Sequence, residues 1–174
     1  MEYTRSNIEL HLEYDDVRVL AAFAEEGHRL RSDLTMWDRT ARFWPTWSKE
    51  DHQMTVAWIF HSAISIYLSG VYDYDHIWNT YDIKTPILSQ FQIESHANKI
   101  LENISLALEE TNVTPLVFLF PLRIAGARAK TDAQQKQIRL LLARISRSFR
   151  VANAISSDLG GVWASRASNG SAFA

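Results

Sequence analysis

The sequence has no cysteine, and its 174 residues include only four prolines and six glycines. The first absence excludes disulfides, thiolate metal sites, thiol nucleophiles and any cysteine-held zinc cluster, and it fits a reducing compartment. The second removes the commonest interruptions of long helices and points away from disordered or fibrous chains. Enzyme fingerprints are also missing: there is no phosphate loop, no glycine-rich dinucleotide turn, no nucleophile elbow and no histidine pair at metal-binding helical spacing. Neither a metal nor a cofactor is therefore expected. Catalysis by shape alone leaves no motif, so these absences narrow the reaction classes without closing them. Met1-Glu2-Tyr3-Thr4-Arg5 leads into polar and acidic residues, with no basic start and apolar run of the secretory kind.

What is present is a 47% apolar and 11% aromatic composition in a chain of one-domain length. A chain of this size buries roughly two-thirds of the surface exposed when unfolded, enough for a core without staples. The net charge of -2 is unevenly spread. Residues 1 to 53 carry eleven acids and seven bases, whereas Arg123 to Arg150 hold eight bases against Asp132 alone. Lys136, Arg139, Arg147 and Arg150 suit phosphate at near-helical spacing, but a solvated face opposite Ile138, Leu141, Leu142 and Ile145 explains them better. Met54 to Tyr72 runs nineteen residues without Asp, Glu, Lys or Arg, close to bilayer-spanning length. His61, Ser62, Ser65 and Ser69 inside it, and acidic flanks without a Lys or Arg cluster, favour a buried core helix.

Apolar spacing predicts an all-α, single-domain bundle of about six or seven helices, with little support for strands. Residues 1–14 form an N-terminal extension, 15–164 the helical domain and 165–174 a loose polar tail. The first helix starts at Asp15-Asp16, carries Val17, Leu20, Ala24, Leu30, Leu34 and Trp37, and ends before Pro45. Ser48 and Asp51 open the apolar helix through Leu68, which Gly70 weakens or turns, and a short piece follows within Asp73 to Tyr81. Thr85-Pro86 sets a turn before a capping box at Ser89 and Gln92, which leads into Ile93, Ala97, Ile100, Leu101, Ile104 and Leu108. Pro115 starts a run apolar all round to Arg128, kinked by Pro121. Thr131 and Gln134 cap the next helix, and Val151, Ile155, Leu159 and Trp163 mark the last, its end weakened by Gly160-Gly161.

The candidate ligand-binding residues are Trp58, His61, Ser65, Tyr72, Asp73, Tyr74, Trp78 and Arg123, with His61 and Asp73 the candidates for any catalysis. His61, Ser65 and Ser69 recur every fourth residue and so share one face of an apolar helix, with Tyr72 and Trp58 extending the line. Such a stripe suits a pocket in which His61 bonds a ligand or shuttles a proton. The plainer reading has each serine bonded to its own helix and His61 to a backbone carbonyl. Tyr72-Asp73-Tyr74-Asp75-His76-Ile77-Trp78 offers stacking surface and acceptors but lacks the ligand number and spacing of a calcium loop. Arg123 either pairs near the core with Asp73 or Asp75, or reaches outward at the Pro121 kink.

The stretch Trp58-Ile59-Phe60-His61-Ser62-Ala63-Ile64-Ser65-Ile66-Tyr67-Leu68-Ser69-Gly70-Val71-Tyr72-Asp73-Tyr74 resembles the C-terminal part of fungal-specific transcription factor regulatory domains. Phe120-Pro121-Leu122-Arg123-Ile124-Ala125-Gly126 is similar to that family's Phe-Pro-Leu-x-x-Ala-Gly segment, and Glu26-Gly27 with Leu30, Leu34 and Trp37 to its upstream helix. The likeness spans about residues 20 to 163. It implies an all-helical regulatory domain that senses a metabolite or contacts transcriptional partners, located in the nucleus or cytoplasm. Such domains usually follow a zinc-cluster DNA-binding segment, absent here, so direct nucleic-acid binding is not expected. The expected role is that of a regulatory module of secondary metabolism, binding a small hydrophobic metabolite or a protein, with homodimerisation open to it and no membrane role. The alternative is a repurposed, cofactor-free cyclase or isomerase acting on a fungal metabolite in an apolar pocket near His61, Tyr72, Asp73 and Arg123.

Overall fold

The computed structural model describes residues 14–43, 52–73 and 76–171. Among them it holds seven α-helices, one 3-10 turn and no strand. The helices are α1 (Tyr14–Ala41), α2 (His52–Tyr72), α3 (Ile77–Thr80), α4 (Gln90–Glu110), α5 (Leu119–Arg128), α6 (Asp132–Ser146) and α7 (Val151–Ser171), with the 3-10 turn at Pro115–Phe118 before α5. The all-α bundle expected from the periodicity is thus the observed one.

Caps set several of the boundaries. Ser89 accepts from the backbone N–H of Gln92, and the Gln92 side chain accepts in return from the Ser89 N–H, a complete capping box at the start of α4. At α6 the Thr131 hydroxyl accepts from Gln134 N–H, while the Gln134 side chain reaches one residue further back, to the Lys130 N–H. The proposed start at Ser48 and Asp51 lies outside the described residues, as do Tyr74 and Asp75.

The core forms where α2 lies across α4 and α5, and where α5 is enclosed in turn by α4, α6 and α7. Ile59, Ala63 and Ile66 of α2 meet Ile100 and Ile104 of α4, Phe118 and Leu122 at α5, and Ile138, Leu142 and Ile145 of α6 in one cluster with almost no exposure. By length and composition alone α2 could cross a bilayer; within this bundle it packs as a core helix. A smaller cluster, Ala24, Leu68, Tyr72 and Trp78, holds α1 and α3 against the far end of α2.

Three local expectations are corrected. Pro121 does not kink a helix: the apolar run divides before it, into the 3-10 turn and α5. Pro121 then sits in the first turn of α5, where a missing N–H costs little. Gly70 does not weaken α2, which continues to Tyr72. A Cβ at Gly70 would stand 2.9 Å from Arg128 Nη2, so the glycine makes room for Arg128 to reach Asp73 at 2.7 Å. Finally, α7 passes through Gly160-Gly161 and makes residues 165–171 helical. Leu159 and Trp163 are buried on either side of the glycines, and the Trp163 indole N–H donates to the Gly126 carbonyl at 2.9 Å. That packing overrides a propensity deficit of about 1 kcal/mol per glycine.

Candidate functional site

Two cavities flank the seam where α1 lies on α2. The first, of about 590 Å³, is an apolar groove between Phe23, Leu30 and Trp37 of α1 and Ile64, Tyr67, Val71 and Tyr72 of α2. Phe23, Leu30, Ile64, Tyr67 and Val71 leave 40–54% of their surface exposed there. Its floor is rigid. Tyr72 donates its hydroxyl to the Phe23 carbonyl at 2.9 Å, and its ring packs between Phe23 (5.6 Å) and Trp78 (5.3 Å). Burial, helped by nearby Glu26, raises the Tyr72 hydroxyl's pKa, so it remains a donor at neutral pH. Gly27 allows this closeness, because a Cβ there would collide with the Tyr72 hydroxyl and crowd Pro86.

The second cavity, about 490 Å³, is a polar cleft bounded by Arg31 and Asp38 of α1, His61 and Ser65 of α2, the segment 85–88, and His96 and Lys99 of α4. The segment is tied to α2 by the Leu88 N–H, which donates to Ser69 Oγ at 2.9 Å. Arg31 bridges α1 to both walls, donating to the carbonyls of Ser65 (3.0 Å) and Pro86 (3.0 Å). Burial lowers its pKa. His61 Nε2 lies 3.0 Å from the Leu34 carbonyl. A carbonyl only accepts, so Nε2 carries the proton, and Nδ1 is left as a buried acceptor with no partner among the described residues. The His61 ring stacks on Trp37 at 4.9 Å and meets Trp58 edge-on at 5.7 Å. His96 Nδ1 faces Ser62 Oγ at 3.3 Å. Burial first, then the nearby His61, Lys99 and Arg31, pull its pKa down to about 4. His61 is lowered as well, chiefly by burial. Both imidazoles are therefore neutral at pH 7.

The residues singled out from the sequence separate into distinct surroundings. His61 and Ser65 line the polar cleft and Trp58 backs it, so the plainer expectation of a carbonyl-bonded His61 is the one observed. Tyr72 lines the apolar groove, and Trp78 packs beneath it. Asp73 accepts from Arg128 and from Ser69 Oγ (3.5 Å) and joins neither cavity's lining. Of the two alternatives for Arg123, the outward one is observed: its side chain is 63% exposed and 4.0 Å from Asp158. Tyr74 lies outside the described residues. The sequence reading missed Arg31, His96 and Lys99, which come from helices more than fifty positions apart. The one local signal was a polar residue beside an apolar stripe: Arg31 next to Leu34, and His96 between Ile93 and Ala97.

The family model of the fungal specific transcription factor domain matches residues 6–173. The chain belongs to this family. No curated protein and no solved structure matches the chain. Membership supports a regulatory role, and it gives the resembling segments physical tasks. Gly27 admits Tyr72 against α1, and Gly126 admits Leu159 against α5, where a Cβ would overlap the leucine.

Proposed function

We propose that this fungal transcription factor domain is a non-catalytic regulatory module that binds a small hydrophobic metabolite in the groove between α1 and α2. The observation that carries the reading is the groove itself: an apolar concavity of ligand size, about 590 Å³, whose partly exposed side chains have no covering element among the described residues. Small-molecule sites are typically of this size, mostly apolar and largely pre-formed, and contiguous exposed apolar surface marks binding. The Tyr72 hydroxyl is already spent on Phe23, so the groove offers shape and hydrophobic contact rather than reactive groups. Occupancy would fix α1 against α2 and so change the surface shown to a transcriptional partner, with sequence-specific DNA contact lying outside this domain. A nuclear or cytoplasmic location and a ligand from secondary metabolism follow from the same reading.

A thermal-shift series with neutral terpenoid and polyketide compounds, paired with a Nile red titration, tests it. A ligand at 100 times its Kd stabilises the fold by about 2.7 kcal/mol, which raises Tm by several degrees. Ile64→Asp should remove both the shift and the Nile red signal. A chain that no apolar compound stabilises, or an unchanged signal in Ile64→Asp, would reject the metabolite site.

A further inference from the structure

The polar cleft carries cationic groups without matching acids. Arg31, Arg42 and Lys99 line it, and the one carboxylate in the lining is Asp38. Asp38 is engaged by Arg42, whose Nε and Nη2 reach its two oxygens at 3.0 and 3.3 Å. Among the described residues no carboxylate pairs with Arg31; its guanidinium meets only the carbonyls of Pro86 and Ser65. Carbonyl dipoles orient a half-buried guanidinium but do not neutralise it, and a charge held away from water is costly without a counter-charge. Lys99 adds a second positive charge from α4. At the back of the same cleft stands His61, 8% exposed, with its Nδ1 unpartnered among the described residues. His28 and His96 also line the cleft, so three histidines stand beside Arg31 and Lys99.

We propose that this cleft is a second binding site, separate from the apolar groove, for a small dicarboxylate whose carboxylates meet Arg31 on one wall and Lys99 on the other. The planar guanidinium fork suits a carboxylate. Charges set on two different helices are met better by two separated carboxylates than by one compact anion.

Isothermal titration of the full chain with sodium succinate, at constant ionic strength, tests the site. One saturable binding event is expected, weakened at least tenfold by Arg31→Met and by Lys99→Met. Arg31 also ties α1 to its neighbours, so Lys99→Met, which removes no side-chain hydrogen bond seen in the fold, decides the matter if the other variant does not fold. The site is overturned by the absence of saturable heat, by unchanged succinate affinity in Lys99→Met, or by binding of inorganic phosphate in place of succinate. Nile red binding, read on the same samples, reports the apolar groove alone, so either site can fail without the other.

Discussion

Two halves of the molecule bury helices in different ways. Around α5, four helices close on one another with aliphatic side chains, and Phe118, Leu122, Ile100, Ile104 and Ile138 have no exposed surface. Along α1 the contact with α2 is a seam: a small cluster at one end, two cavities beside it, and polar tethers from Arg31, His61 and Tyr72 to backbone carbonyls. Close packing leaves nowhere for a ligand, whereas a helix held by a few directed bonds leaves concave surface on both sides. The fold is therefore stabilised in one place and open to ligands in another.

The largest expected effect tests the first half of that contrast. Phe118→Ala should cost about 3–5 kcal/mol, because the cavity cannot collapse among four packed helices. Leu30→Ala, at a groove position 40% exposed, should cost no more than about 1 kcal/mol. Urea unfolding of both variants checks this, and similar losses would erase the distinction between core and seam.

Acid tests the second half, because His61 and the partly buried His96 both line the polar cleft beside the seam. Each is neutral in the fold and has a lowered pKa, so the unfolded chain binds more protons below its ordinary histidine value of about 6.5. Stability is thus fully present above that pH, declines as pH falls, and levels off near the folded value of about 4 for His96. After discounting for partial exposure, the loss between pH 7 and 5 is about 1–2 kcal/mol. Urea midpoints across this range should follow that slope, and His96→Gln should flatten it. A slope that persists in the variant would place the acid sensitivity outside the seam.

The same contrast explains what could be read from the chain. The bundle was legible because local signals agree with the global fold: Ser89 and Gln92 form the box their spacing announces, and Ile93, Ala97, Ile100 and Ile104 share one face because 3.6 residues make a turn. Gly70, Pro121 and Gly160-Gly161 misled, since each usually interrupts a helix and here tertiary packing decides. The polar cleft was half legible. His61 and Ser65 stand on one helix and show their spacing, whereas Arg31, His96 and Lys99 meet them only through the antiparallel return of the chain, which no local pattern encodes. The pairing of Asp73 with Arg128 rather than Arg123 has the same origin: position along α5 decides which arginine faces α2.

The smallest effects sharpen the comparison most, because they turn on sign. Gly161 lies in the interior of α7, and a Cβ there would touch nothing within 4 Å. Gly161→Ala should therefore raise stability by up to about 1 kcal/mol, through helix propensity alone. Gly27 is also helical and gains the same propensity from alanine, but its new Cβ would collide with the Tyr72 hydroxyl and crowd Pro86. Overpacking costs of about 1–3 kcal/mol exceed that gain, so Gly27→Ala should be destabilising by about 1 kcal/mol. It should also detach Tyr72 from the Phe23 carbonyl and change Nile red binding in the groove. Two identical substitutions of opposite sign, read by the urea midpoint, would show that α1 is fixed at one close contact between two open cavities. If both stabilise, α1 shifts freely to admit the methyl group, and the groove is a deformable surface rather than a pre-formed site.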